Sequence, residues 1–185
     1  MKRMIVMLMA SAFLAAACSK DKYQANPDGS TPVLYPRSSI FAWPVVDGAH
    51  QEPSGKARIY LDRTAKLPKD FEAGDGVRVG AKSALGEDAV LFPNVTVGNN
   101  SSIGRDVIVQ SDVKIGNDVS IGKDTVIGQG TTIEDGARIG GWVKIGSGAS
   151  IGGGAELGGA ARVDDGATVA KKQRVAQGEH VRSDR

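Results

Sequence analysis

The chain is short of nearly everything that metal centres, disulfide frameworks and ring-packed cores require. Cys18 is its single cysteine, which excludes an internal disulfide framework and any multi-cysteine zinc or iron–sulfur site. His50 and His180 are its two histidines, so three His from one chain cannot hold a metal. Aromatic residues make up only 5% of the sequence, too few for a core of large rings. Charge of one sign is also scarce: a net +2 gives no case for a nucleic-acid partner. Charged residues of both signs together reach 24%, as in a soluble protein. Against these shortages stand 25 glycines in 185 residues. With so few rings around them, they must answer a regular backbone demand.

Residues 1–17 read as a targeting signal. Lys2 and Arg3 precede an apolar run from Met4 to Ala17, shorter than the roughly 20 residues of a spanning helix. The run ends Leu14-Ala15-Ala16-Ala17-Cys18, which resembles the lipobox of bacterial lipoproteins. Ala15 occupies the place three before the cysteine where that family prefers Leu, and Leu14 sits one earlier. The resemblance implies that Cys18 is lipidated and becomes the mature N-terminus, with the membrane as its partner. Multiple acyl chains at one Cys anchor stably, whereas one chain binds marginally. Ser19 rather than Asp follows Cys18, which by the same resemblance implies the periplasmic face of a Gram-negative outer membrane. Residues 1–17 carry Lys2 and Arg3 and no acid, so the remaining chain is neutral.

Residues 18–37 are polar and broken by Pro27, Gly29, Pro32 and Pro36, as expected of a tether. Residues 38–60 read as a capping segment, with short strands expected at Ile40–Trp43 and Ala57–Leu61. Such a segment covers the open end of a repeat array, which otherwise exposes core and unpaired strand edges. Alternatively, Phe41 and Trp43 form a partner-binding surface.

From Val79 a period of six residues runs unbroken. Every sixth residue through Val181 is Val, Ile or Leu, and the series extends back through Ala73, Leu67 and Leu61. Two residues before each anchor stands a small or β-branched residue, such as Val95, Ser101, Val107 or Thr125. That alternation puts both side chains on one face of a short strand. Gly usually follows the anchor, as at Gly98, Gly104, Gly116 and Gly122. Three residues after it stands Asn, Asp or Gly, the types that tolerate positive φ at a turn. Lys82, Trp142 and Ala160 depart from this rule. Strand and bend at this spacing make a coil, not a flat sheet.

The pattern resembles the hexapeptide repeat of the left-handed parallel β-helix, in which three hexads close one triangular coil. It covers residues 61–181, followed by a short tail at 182–185. The strict six-residue spacing and the Asn/Asp/Gly turns favour this over a right-handed β-helix such as the bactofilins. The fold class expected is therefore all-β. The resemblance also implies a homo-trimer and, for most members, acyltransferase activity.

With three hexads per coil, residues 18 apart stack. One outward ladder runs Val90, Ile108, Val126 and then Lys144, Arg162, His180, with Phe92 beside its apolar half. An apolar stripe of this kind marks an interface, with another subunit or with the chain's own N-terminal segment. One corner stacks Asp88, Asp106 and Asp124, read as turn residues in preference to a cation site, and then Trp142, a candidate contact residue alongside Trp43. Lys171, Lys172, Arg174 and Arg182 make the C-terminal end basic, which reads as a solvated cap.

Acyl transfer needs a general base, usually His. No residue between Val79 and Glu179 is His, no loop leaves the repeats, and neither His180 nor His50 has an acidic partner evident from the sequence. Three His shared across a subunit interface, the zinc set of the γ-class carbonic anhydrases, are absent as well. Acyl-CoA and nucleotide-sugar donors also belong to the cytoplasm, whereas this chain reads as exported. The sequence expectation is thus a non-catalytic, lipid-anchored scaffold or binding surface without a cofactor. The alternatives are an acyltransferase-like enzyme using His180 or His50, and a module binding envelope polysaccharide or an envelope protein.

Overall fold

The computed structural model describes residues 34–69 and 71–183. Cys18, the targeting signal and most of the tether lie outside the described residues. The chain enters with β1 (Leu34–Pro36), α1 (Arg37–Ile40), β2 (Val45–Val46), β3 (Ala49–Gln51) and β4 (Ala57–Leu61). After them come coils of two- and three-residue strands, about seven turns in all. This is the left-handed parallel β-helix of hexapeptide repeats.

Three parallel sheets form the three faces, and residues 18 apart pair in each of them. Ser102 pairs with Ser120, Ile108 with Val126, and Lys114 with Thr132. The anchors and the small residues two places earlier point inward. Ile127, Ile133, Ile151, Val107 and Val113 are fully or almost fully buried. The polar members of the inward set are satisfied by the neighbouring coil. Ser83 Oγ donates to the Gly98 carbonyl at 2.6 Å and Ser101 Oγ to that of Gly116 at 2.9 Å. Thr131 Oγ1 donates to the Gly146 carbonyl at 2.8 Å. A hydroxyl so paired avoids the cost of a buried, unsatisfied polar group.

The turns follow the Asn/Asp/Gly rule in conformation even where the residue type departs from it. Lys82, Trp142 and Ala160 take φ of 57°, 58° and 57°, beside 54–56° at Asp88, Asp106 and Asp124. The coil geometry imposes the left-handed region on all of them. Glycine after an anchor serves a different purpose. A Cβ at Gly122 would lie 2.5 Å from the Gly141 nitrogen, on the backbone of the next coil. Neighbouring corners are therefore held together by bare backbone.

At the N-terminal end one expectation changes. Ile40 ends α1, and Phe41–Trp43 form a turn in place of the expected strand. Pro36, with φ −65°, is preset at the helix N-cap, and Ser39 Oγ donates back to its carbonyl. Pro44 then disfavours further helix in the residue before it. The strand Ala57–Leu61 forms as expected. β1 lies antiparallel on Glu72–Gly74, and β2–β3–β4 form an antiparallel meander whose last strand joins the first parallel coil. Ile40 and Phe71 close the core at this end, both fully buried.

Candidate functional site

The last coil brings together two residues that the sequence leaves apart. The strand His180–Val181 pairs in parallel with Arg162–Val163, placing His180 opposite Arg162. Asp164 follows the anchor Val163, where most repeats carry Gly. From there its Oδ1 reaches His180 Nε2 at 2.7 Å. The hydrogen bond from His180 holds the Asp164 carboxyl below its usual range, and the charges of His180, Arg162 and Arg182 act in the same direction. A charged carboxylate accepts only, so His180 donates through Nε2–H, which in the neutral ring leaves the lone pair on Nδ1. The His180 side chain is 40% exposed. An imidazole oriented by a carboxylate is the arrangement of a general base.

An open groove of about 650 Å³ lies on the neighbouring face, and neither His180 nor Asp164 lines it. It is lined by Arg138, Gly140, Glu156, Gly158, Arg174 and Glu179, the last adjacent to His180. Arg174 pairs with Glu156 at 3.0 Å. The corner at its edge is bare backbone through Gly140 and Gly158, with no side chain larger than hydrogen at either place.

The other sequence candidates are dispersed. His50, on β3 at the far end of the array, is only 8% exposed. Its ring meets Phe41 edge-on at 5.0 Å, and its Nδ1 has no hydrogen-bond partner. It is packed into the cap and takes no part in the dyad. Trp43 packs edge-on against Tyr35 at 4.8 Å and against the core, while Phe41 remains exposed. Val90, Phe92 and Ile108 are 9%, 3% and 3% exposed, and Val126 is half-buried. The stripe expected to be exposed is thus already shielded within one chain, as apolar side chains of this size favour wherever cover is offered. Trp142 is 57% exposed, with Lys123 Nζ 4.4 Å from its ring centroid.

Asp164 is the member of the candidate site that sequence reasoning missed. Its signal was present: an acidic residue in a glycine position, two places along the strand that stacks beneath His180.

The repeats match two family descriptions. Bacterial transferase hexapeptide (six repeats) matches residues 124–159, and the GlmU-like C-terminal hexapeptide matches residues 73–126. No curated protein matches the sequence. Among solved structures, the acetyltransferase domain of PglB from Neisseria gonorrhoeae, in complex with acetyl coenzyme A, is similar at 26% identity. That match has a TM-score of 0.60 and covers 63% of this chain and 56% of the other, so the chain spans little more than half of that relative's length. A Bacillus cereus protein described as an acetyltransferase has the same fold, at 20% identity and a TM-score of 0.59, covering 63% of this chain and 71% of that one. The gonococcal relative overturns the expectation of a non-catalytic scaffold. That expectation rested on the lack of a placed base, the lack of loops and the compartment of the acyl donors, and of these Asp164 answers only the missing partner of His180.

Proposed function

We propose that this hexapeptide-repeat β-helix is an acyltransferase, with His180 as general base and Asp164 as the residue that orients it. The observation that carries the reading is the 2.7 Å contact between His180 Nε2 and Asp164 Oδ1. The acetyl coenzyme A bound to the gonococcal relative supports an acyl thioester as donor.

The chemistry follows from the dyad. His180 Nδ1 removes a proton from the acceptor hydroxyl or amine as that atom attacks the acyl carbonyl. The acceptor–acyl bond forms, the bond to sulfur breaks, and the thiolate leaves with a proton. Asp164 offsets the positive charge that the imidazole gains. In the groove, Arg138 and Arg174 supply cations suited to the phosphates of a coenzyme A donor, and the glycine corner lets an extended chain lie against backbone. The test is thiol release from acetyl coenzyme A by the purified full chain, with amino sugars and simple alcohols as acceptors. Acceptor-dependent release supports the reading, and no release above the buffer rate with any acceptor overturns it.

The trimeric habit of hexapeptide acyltransferases supports a homo-oligomer as the working form. Sedimentation should then return a multiple of the 19.2 kDa chain mass, and a single-chain mass at micromolar concentration would contradict it.

Lipid anchoring through Cys18 is a separate proposal, supported by the lipobox-like end of the apolar run, and joined to the acyltransferase reading it requires a thioester donor on the side of the membrane to which the chain is exported. Labelled palmitate should enter the protein in a Gram-negative host and partition it with outer membranes. Cys18→Ala should abolish both, and retention of membrane partitioning by that variant would refute the anchor.

A further inference from the structure

The cap leaves a cluster of apolar side chains uncovered. Phe41, Val45 and Val46 are 48%, 54% and 42% exposed, and Ala42 and Pro44 between them are exposed as well. Successive side chains of a strand point to opposite faces, so exposure of both Val45 and Val46 leaves β2 open on its two sides. β2 is also the outermost strand of its sheet, with β3 on one edge and no strand among the described residues on the other. The turn that follows, Asp47-Gly48, has φ of 49° and 81° and is exposed. Ile40 and Phe71 already close the core at this end. An apolar hairpin standing outside them adds nothing to that closure.

Position and form point to what meets it. β1, which begins the described residues, is likewise the outermost strand of its sheet. Residues 19–33 therefore join the array at the end that carries the hairpin. Cys18 lies 16 residues before Leu34, no more than about 60 Å of chain. A bilayer holding an acylated Cys18 would meet this end at an effective concentration of the order of millimolar, so a weak contact suffices. A protein partner would need more than five residues, since stable interfaces take roughly 20–30 a side. The interfacial zone of a bilayer needs no shape match and takes apolar tips with aromatic and cationic groups at headgroup level. Trp43 stands between Ala42 and Pro44 with its ring on Tyr35, and the Arg37 guanidinium lies 4.7 Å from the Phe41 ring centroid.

We propose that Phe41, Val45 and Val46 dock on the surface of a phospholipid bilayer. The cap then rests on the membrane. The strand of His180, at the opposite end of the sheet that β1 begins, is held away from it. Asp47 at the hairpin tip keeps the contact among the headgroups, because a carboxylate is costly in hydrocarbon. The proposal rests on the Cys18 anchor only for what brings the chain to the bilayer, and the contact itself is made by other residues.

The test is quenching of tryptophan emission by brominated acyl chains in vesicles of phosphatidylethanolamine and phosphatidylglycerol. The purified full chain is held on them by its own acylated Cys18. Where that thiol is free, it is coupled to a maleimide lipid, as the only thiol of the chain. The two tryptophans are read one at a time, Trp43 in Trp142→Asn and Trp142 in Trp43→Phe. Trp142→Asn keeps its turn, because Asn94 and Asn100 hold the same conformation at φ 61° and 55°. Trp142 stands three coils beyond Asp88 in one corner, about 14 Å at the usual strand spacing. Brominated vesicles should quench Trp43 and leave Trp142 unchanged. In the Trp43-only chain, Val45→Glu with Val46→Glu should abolish that quenching while the protein stays on the vesicles. Its emission without vesicles should match the parent, as expected of an intact cap. Asp47→Asn, which also tolerates this turn, should increase the quenching. No quenching of Trp43 on vesicles that carry the chain overturns the proposal, as does quenching that survives the double variant or is equal at both tryptophans. A free Cys18 thiol in protein made in a Gram-negative host, with Trp43 quenched after coupling, would remove the anchor and leave the docking surface standing. A dimer abolished by the double variant, with no quenching, would give the patch to a second copy of the chain and overturn the bilayer.

Discussion

His180→Ala should lower acceptor-dependent thiol release by about 10²–10⁴-fold, the span expected for loss of a positioned general base. The loss should fall on kcat, because the imidazole acts on the proton in flight and contributes little to ground-state binding. Thermal stability should barely change. The pair lies at the surface of the last coil, where a single charged contact contributes little. Activity lost without stability lost is the signature of chemistry, which a merely structural contact would not give.

Asp164→Asn refines the same experiment. The amide matches the carboxylate in shape but carries no charge, and its NH₂ group can face His180 Nε2. Nε2 would then accept a hydrogen bond, the imidazole proton would move to Nδ1, and the lone pair needed at Nδ1 would be gone. Asp164→Asn should therefore be nearly as impaired as His180→Ala, while Asp164→Ala, which frees the ring without forcing that tautomer, should retain more activity. The double variant should be no worse than His180→Ala alone, since both residues act through one proton. The pH behaviour follows from the depressed carboxyl. A folded-state pKa below the unfolded value contributes stability that is present above the unfolded value and lost as pH falls through the folded one. Asp164 therefore keeps its charge, and its hold on His180, further into acid than an ordinary aspartate. Rates for wild type and His180→Ala that agree within error would reject the dyad.

Much of this fold is legible because one physical requirement repeats. Inward positions must be aliphatic or small, corners must tolerate positive φ, and stacked corners must be bare. Each requirement selects few residue types, so each writes a period into the sequence. What the period hides is any interaction between departures from it. Gln110, Glu134 and Asp164 all stand where Gly is usual, and each uses its side chain. Gln110 Oε1 accepts from the Gln129 amide, Glu134 Oε2 from the Gly153 amide, and Asp164 bonds His180. Reading 18-residue stacks alone places Arg162 under His180 and passes over Asp164. The contact is oblique, two residues along the strand, and only coordinates show that a side chain reaches it. The cap is illegible for the opposite reason. It has no period, and the alternating Ile40-Phe41-Ala42-Trp43 looks like a strand until Pro36 and Pro44 are given their backbone consequences. The apolar stripe at Val90 and Ile108 was visible as apolar, but sequence carries no signal for whether cover comes from the same chain.

Gly122→Ala should cost about 3 kcal/mol, the upper part of the range for forcing extra volume into a packed site. The added methyl would meet the Gly141 nitrogen at 2.5 Å and the Gly140 carbonyl carbon at 2.6 Å, both backbone, so no rotamer change can relieve it. The coil would have to lift from its neighbour, stretching hydrogen bonds such as that from the Gly122 amide to the Ile139 carbonyl at 2.7 Å. The column to which it belongs runs Gly86, Gly104, Gly122, Gly140, Gly158 and then Ala176. Alanine enters only in the last coil, where no further coil of described residues stacks upon it. Gly130 offers the contrast. It has φ +69° and nothing within 4 Å of a built Cβ, so Gly130→Asn should be nearly neutral, as Asn supplies the same conformation elsewhere in the array. Ala160→Gly should move the other way and stabilise by about 1 kcal/mol, because it relieves an alanine held at φ 57°. In a solenoid each coil contacts only its neighbours, so the Gly122→Ala defect should also split the urea transition. Equal midpoints for Gly122→Ala and Gly130→Asn would mean that coil spacing does not depend on bare backbone. Unequal midpoints in the stated order would separate the two glycine roles, close approach after the anchor and left-handed turn three residues on, which one composition figure merges.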